Sequence, residues 1–444
     1  MCTATDPSMT DPSPTEGTPV AGAPPAAIVV GAGVAGLVAA RELVLQGFAV
    51  SVLEADSVAG GQVRAHEVGG IRLDAGAESF ATRGGIVRDY LARLDLEHRI
   101  VSPLDRGAWL HSAEDRAARL PAVSLLGIPS APLAADVVSI VGRRDAWRGM
   151  LDTVLPGPVG AKAATVGELV RRRMGDGILE KLVAPVVEGI HSRHPDELPL
   201  DAVPGLVHHL LREDSLGRAV ARLRIDAPAG SLVAGLEGGM TVLVEALLAK
   251  LDRFGVPVHY GTRVAEVHAD RVVLATEDPD QDGDELVGRV IVAAPGLVGA
   301  GTRTVTHLVT LVVDPHSLPD ADALAGAPRG TGVLVARGSS VRARALTHLT
   351  AKWEWVRAAA RGHEVLRLSY EHDATVERAR EDAGRLLGIE LPAASIVGST
   401  VTTWQRAGRI DASGSIPIVG EQVAGTGLAA IIDHTQRTMK ELQP

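Results

Sequence analysis

A chain of 444 residues is long enough for two or three domains or one large composite with a sizeable core. Hydrophobic residues make up 46% and charged residues 22%, globular proportions that exclude a wholly disordered chain. Lys and Arg number 44 against 54 Asp and Glu, a net charge of -10, so the basic footprint of a phosphate-backbone binder is missing and no nucleic-acid partner is expected.

Residues 1–25, rich in Pro, Thr, Ser and Asp, read as a disordered leader without the basic and apolar regions of a signal peptide. Cys2 is the only cysteine, which leaves no disulfide framework and suits a reducing, cytoplasmic setting. No run of about 18 apolar residues occurs, so a spanning helix is not expected, while a weak peripheral membrane contact stays open. Lysine is confined to Lys162, Lys181, Lys250, Lys352 and Lys440. Arginine therefore carries the positive charge, through bidentate anion recognition or through codon bias.

Ala26 to Val30 predicts a strand, Gly31-Ala-Gly33-Val-Ala35-Gly36 a glycine turn, and the following residues to Gly47 a helix. Val50 to Leu53 supplies a second strand, closed by Glu54, 18 residues after Gly36. Such a βαβ unit binds a dinucleotide: Gly31 allows the tight turn, Gly33 the approach of a pyrophosphate and Gly36 close helix packing, while Glu54 accepts from a ribose. Unpaired N–H groups at the helix start attract the phosphates.

The next stretch, Glu54-Ala55-Asp56 through Gly60-Gly61-Gln62-Val63-Arg64, resembles the flavin amine-oxidase superfamily, as does Asp74-Ala-Gly76-Ala77-Glu78. The resemblance implies non-covalent FAD, with Gly61, Gln62 and Arg64 near the pyrophosphate and Gly76, Ala77 and Glu78 near the flavin. Farther on, a helix is expected to stop near Gly189, before a turn holding Pro195. The order Pro185-x-x-x-Gly189-Ile190, then Glu197-Leu198-x-Leu200 and Pro204-x-Leu206, resembles the protoporphyrinogen and coproporphyrinogen oxidases, the flavoenzymes of haem synthesis. His191 and His194, on a turn with no third ligand, make a poor metal pair, and no metal site is expected. His208 and His209 are adjacent and face different ways on a helix.

Gly235 to Met240 precedes an amphipathic helix, after which Val256–Tyr260, Thr262–Val264 and Arg271–Ala275 alternate like a small β-ribbon. By resemblance, Val264 pairs its backbone with the adenine. The acidic stretch 277–286 reads as a solvated hairpin loop, since its acids lack the spacing of a calcium loop. Val290 to Pro295 reads as a buried strand. Gly330-Thr331-Gly332-Val333-Leu334 resembles a family strand that often carries Phe at the Thr331 position, packed on the tetrapyrrole. Thr331 is left as a substrate contact or as part of a plain buried strand. Leu346 to Trp355 with Arg357 resembles a family strand and turn.

Gly420 to Ala430 with the following residues reads as strand, turn and helix, and Gly425, Thr426 and Leu428 are implied to meet the flavin edge, where the helix dipole favours negative charge. Only fifteen residues separate Trp404 from Gly420, where the family has several tens, so part of the FAD domain is expected to be trimmed.

The expected fold class is α/β: a Rossmann-like FAD domain built from discontinuous segments at 26–105, 226–297 and 395–444, with an inserted α+β substrate domain and helical subdomain at 106–225 and 298–394. The resemblance implies removal of six hydrogens from a porphyrinogen, in three two-electron steps through FAD to O2. The substrate would be coproporphyrinogen III or, alternatively, protoporphyrinogen IX. Substrate contacts are placed at Arg64, Arg106, Gly189, Thr331 and Leu334, with guanidinium groups pairing the substrate carboxylates and Arg106 otherwise a surface residue. No general base is identified, and the chemistry demands none. Another amine-oxidase-like enzyme and a catalytically degenerate flavoprotein remain the other readings, and oligomeric state is left open. The apolar stretch 125–142 is assigned equally to a membrane patch or to core.

Overall fold

The computed structural model describes residues 24–443 apart from 83, 192, 226–232, 277–280, 282, 300, 302 and 411–413. The expected leader and the tip of the acidic hairpin loop therefore lie outside the described residues.

The fold is α/β. Strand Ala26–Val30 is the hub of a parallel sheet ordered Val258–His259, Ala49–Leu53, Ala26–Val30, Arg289–Val292. Its residues are almost all buried, as a parallel strand covered on both faces requires. On one face, helices Val34–Leu45, Thr241–Arg253 and Leu428–Glu441 bury the largest apolar cluster. On the other, Val264, Val272 and Ile418 close a smaller one. Val258–His259 corrects the ribbon expectation: the antiparallel sheet is Val264–Val267, Arg271–Leu274 and Glu285–Val287, while Val258 pairs in parallel with Val52, held by Val52 N–H to Pro257 O.

The second unit is a seven-stranded sheet ordered Ile396–Ala407, Arg303–Val313, Glu364–Tyr370, Ala345–His348, Gly332–Val335, Trp109–His111, Ala117–Arg119. All pairs are antiparallel except Gly332–Val335 with Trp109–His111. Ile396–Ala407 pairs along its length with Arg303–Val313, so this sheet runs past the boundary expected at 394/395. The chain returns to the parallel sheet only at Ile418, bridged to Val292. Val419 N–H to Val292 O and Val292 N–H to Pro417 O hold that junction, so the short segment after Trp404 still reaches the first unit.

The third unit is helical. Arg173, fully buried, pairs with Asp152 and donates to the carbonyls of Pro156, Val159 and Asp214, while Asp152 also accepts from Ser215 Oγ and the Leu216 and Gly217 N–H groups. This network ties four chain segments together, and each donor satisfies a carbonyl that burial would otherwise orphan. In the stretch 125–142, Leu125, Ile128, Val137 and Val141 lie in the core of this unit, while Leu133 is exposed.

Three local expectations change. The helix Ala184–His191 continues through Gly189, and a Cβ there would meet Leu334, so the glycine serves close packing, not termination. Strand Ala345–His348 leads into helices Leu349–Lys352 and Glu354–Ala360 in place of a turn, with Trp353 buried between them. Gly420 opens a short helix, Glu421–Ala424, where a strand was expected, before the Gly425-Thr426-Gly427 turn.

Candidate functional site

Two helix starts define one end of the site. Gly33 caps helix Val34–Leu45 in an extended conformation with no side-chain cap, and Gly427, in positive φ, does the same for helix Leu428–Glu441. Glu42 meets Gln436 and Gln46 meets Met439 along their lengths, so the helices run parallel and open at the same end. The first intrahelical bonds are Leu37 N–H to Gly33 O and Ile431 N–H to Gly427 O, which leaves the N–H groups of Val34, Ala35 and Gly36 and of Leu428, Ala429 and Ala430 without helical acceptors. Ala35 and Leu428 have buried side chains and would contribute through backbone alone.

The glycines divide by function. A Cβ on Gly36 would run into the Gly31 carbonyl oxygen, and one on Gly31, at φ +102, would press on the Ala293–Ala294 backbone. Gly33, Gly425 and Gly427 have nothing within 4 Å of the Cβ position, and Gly61 only the Gly33 Cα at 3.6 Å. The first pair is demanded by packing. The others line open space in front of uncapped N–H groups, a cradle suited to a phosphate-bearing ligand.

Glu54 closes the second strand with Oε2 accepting the Ala32 N–H at 2.7 Å and Oε1 the Asp56 N–H at 2.9 Å. These bonds fix the carboxylate beside the glycine turn with lone pairs to spare for a ribose hydroxyl. Ala55 is exposed next to it, and Thr262 N–H donates to Glu54 O, which brings the strand beginning at buried Val264 alongside. Gln62 Nε2 donates to Glu421 Oε2 at 3.1 Å, and Glu421 Oε1 accepts both Arg406 Nε and a terminal nitrogen. Thr426 is half-buried.

Beyond the cradle, residues 74–78 lie on the seven-stranded sheet. Gly76 is wedged between the Gln62 carbonyl and Trp404, and Trp404 Nε1 donates to Ala75 O at 3.0 Å. The Ala77 N–H donates to Gln62 O. Glu78 is ion-paired with Lys352 and lies 3.5 Å from Arg367, which also donates to the Asp74 and Gly76 carbonyls. Burial alone would raise the Glu78 carboxyl, but Lys352 and Arg367 outweigh it and hold it below the usual range. Asp74 has no such cation on its carboxylate: burial pushes it up to about 7, although Arg367 and the Met240 N–H, donating at 2.7 Å, pull the other way. Burial, with Arg367 and Arg64 nearby, lowers His66 to about 4. Neither Lys352 nor Arg367 lies in a sequence motif that points to this site; Lys352 is marked only as one of five lysines.

The predicted substrate residues fall into two places. Gly189 and Leu334 touch directly. Arg64 lies over the Trp404 ring at 4.9 Å and reaches Asp56 at 3.3 Å. Arg106 sits on the loop packed against Gly330, and its guanidinium has no hydrogen bond or ion pair among the described residues. Thr331 donates its hydroxyl and its N–H to the Gly107 carbonyl at 2.9 and 2.8 Å, so its polar groups anchor that loop. Strand Gly332–Val335, which Gly330 precedes by two residues, and strand Ile396–Ala407, which carries Trp404, are the outer members of a five-strand span, about 19 Å across at about 4.8 Å per strand. No group of three or more His, Cys, Asp or Glu placed to hold a metal occurs among the described residues, and no helix of theirs is long and apolar enough to cross a membrane.

A family model for flavin containing amine oxidoreductases matches residues 34–333. The coproporphyrinogen III oxidase of Mycobacterium leprae (strain TN) is 31% identical over 345 residues, 73% of this chain and 73% of that protein. The coproporphyrinogen III oxidase of Propionibacterium freudenreichii subsp. freudenreichii is 27% identical over 307 residues, 62% of this chain and 57% of that protein. Among solved structures, a candidate protoporphyrinogen oxidase from Exiguobacterium sp. 255-15 superposes with a TM-score of 0.74 over 94% of this chain and 98% of that one; at 21% identity the likeness is one of fold.

Proposed function

This chain belongs to the flavin containing amine oxidoreductase family, and from that premise we propose that it oxidises coproporphyrinogen III to coproporphyrin III in the cytoplasm, with FAD as cofactor and O2 as acceptor. The relatives named as coproporphyrinogen III oxidases support this reading. The observation that carries it is the open space at Gly33, Gly61, Gly425 and Gly427 in front of two uncapped helix starts, with Arg64 beside it over the Trp404 ring.

FAD, when bound, supplies a two-electron acceptor that must act three times for each porphyrinogen, since six electrons and six protons leave the substrate and three O2 become three H2O2. In this chain the N–H groups at Ala35 and Gly36 and those at Leu428 would hold the phosphates and the flavin edge. Glu54 would orient a ribose, and Gly61, Gln62, Gly76 and Ala77 would let backbone approach. Arg64 and Arg106 would pair substrate carboxylates and fix orientation. Leu334, pressed on Gly189, would exclude water at the far side.

The test is the absorption spectrum of the purified protein, followed by aerobic addition of freshly reduced coproporphyrinogen III with porphyrin fluorescence and peroxide monitored together. Flavin bands and three equivalents of peroxide per porphyrin above background are expected. Bound flavin without turnover of coproporphyrinogen III or protoporphyrinogen IX would sink the reading.

A further inference from the structure

On strand Ala345–His348 the side chains alternate between half-buried and buried, and on Gly332–Val335 only Leu334 is half-buried. One face of the seven-stranded sheet is packed, and the other stands half-open. Register places the residues of the open face. Ala345 pairs with Leu334 and with Ser369, and Ser369 with Leu308; Thr347 pairs with Gly332, and Thr306 with Trp404.

Thr347, Ser369 and Thr306 therefore form a diagonal across three adjacent strands, each step one strand over and two residues along. At ordinary strand spacing and rise, neighbours are about 8 Å apart and the two threonines about 16 Å apart. All three are half-buried, and their hydroxyls have no hydrogen-bond partner among the described residues. Thr310 on the same face is the contrast: it is buried, with its hydroxyl 3.4 Å from Arg367 Nε. Thr347 is paired to Gly332, two residues beyond the Gly330 that packs on the Arg106 loop, and Thr306 to the tryptophan that lies under Arg64.

A ligand covering this face strips water from those hydroxyls, which costs affinity unless it supplies partners. We propose that Thr306 and Thr347 donate hydrogen bonds to carboxylates at opposite edges of the macrocycle, with Ser369 beneath its centre, and so select a substrate that carries a carboxylate on every pyrrole. The inference rests on the porphyrinogen reading above and adds to it the groups that read the substrate. A dicarboxylate macrocycle whose acids share one edge satisfies one threonine and strands the other.

The experiment is fluorescence titration of the flavin-loaded protein with coproporphyrin III, which has four carboxylates, and mesoporphyrin IX, which has two on one edge. Wild type, Thr306→Val and Thr347→Val are compared. Wild type is expected to prefer coproporphyrin III. Each valine is expected to weaken coproporphyrin III about fivefold, one hydrogen bond's worth, and at least one of them to leave mesoporphyrin IX within about twofold. Equal loss for both porphyrins would show a packing role and overturn the proposal, as would no loss. Equal affinity of wild type for the two porphyrins would overturn the selectivity while leaving the oxidase reading intact; binding of neither would remove both.

Discussion

Gly189 and Leu334 are in contact across the boundary between the helical unit and the seven-stranded sheet: a Cβ on Gly189 would stand 2.5 Å from Leu334 Cδ2. Two residues 145 positions apart, each singled out by motif alone, thus form one joint. Its tightness sets how the helical unit sits over the half-open face.

Gly189→Ala should destabilise the protein by about 1–3 kcal/mol, the usual cost of overpacking. Shortening the partner should recover much of that loss, so the Gly189→Ala, Leu334→Ala double variant should be more stable than the sum of the single effects allows. Denaturant titration of the four proteins measures the coupling; strict additivity would mean that the two side chains do not share this joint.

Gly33 offers a cleaner separation of folding from binding. Its φ of -67° suits any residue and its Cβ position is open, so Gly33→Ala should leave the melting temperature within about 1 °C for the flavin-free protein. It should nonetheless lower flavin retention at least about tenfold, because the methyl fills the phosphate cradle. Gly36→Ala should instead fail to fold properly, since its Cβ collides with the Gly31 carbonyl. Unchanged flavin content in Gly33→Ala would count against the cradle.

Asp74 and His66 act in opposite senses on stability. Asp74 titrates near 7 in the folded protein against an ordinary 3.8, so its contribution is complete below about pH 4 and is lost as pH rises through 7. His66 titrates near 4 against 6.5, so its contribution is complete above about pH 6.5 and is lost as pH falls through 4. Asp74→Asn keeps an acceptor for the Met240 N–H and removes only the first effect. The variant should melt higher than wild type above pH 7 and lose stability more steeply between pH 6.5 and 4. Melting curves across pH 4–8 check this, and parallel wild-type and variant profiles would refute it.

Arg173 and Asp152 form a buried pair whose partners cannot be rehydrated. Removing the charge from one side with Asp152→Asn should cost about 3–5 kcal/mol, because the guanidinium stays buried without its counter-ion. Chemical denaturation would report the loss. A cost below about 1 kcal/mol would mean the carbonyls around Arg173 carry the network alone.

The sequence by itself determined the βαβ start, the close packing at Gly36 and the position of Glu54, because each depends on turn geometry and strand length over fewer than thirty neighbouring residues. Motif order also named Gly189 and Leu334, although not their contact. Tertiary structure alone decided that helix Ala184–His191 runs through its glycine, that Val258 joins the parallel sheet, and that Ile396–Ala407 belongs to the larger one, since each is settled by a partner distant in sequence. The same holds for the charges around residues 74–78. Lys352 and Arg367 meet Glu78 across 274 and 289 positions, and the Thr347, Ser369, Thr306 diagonal exists only through strand register. Spacing along a chain encodes local turns and helices, whereas ion pairs and sheet faces are made by strands whose order in space is not their order in sequence.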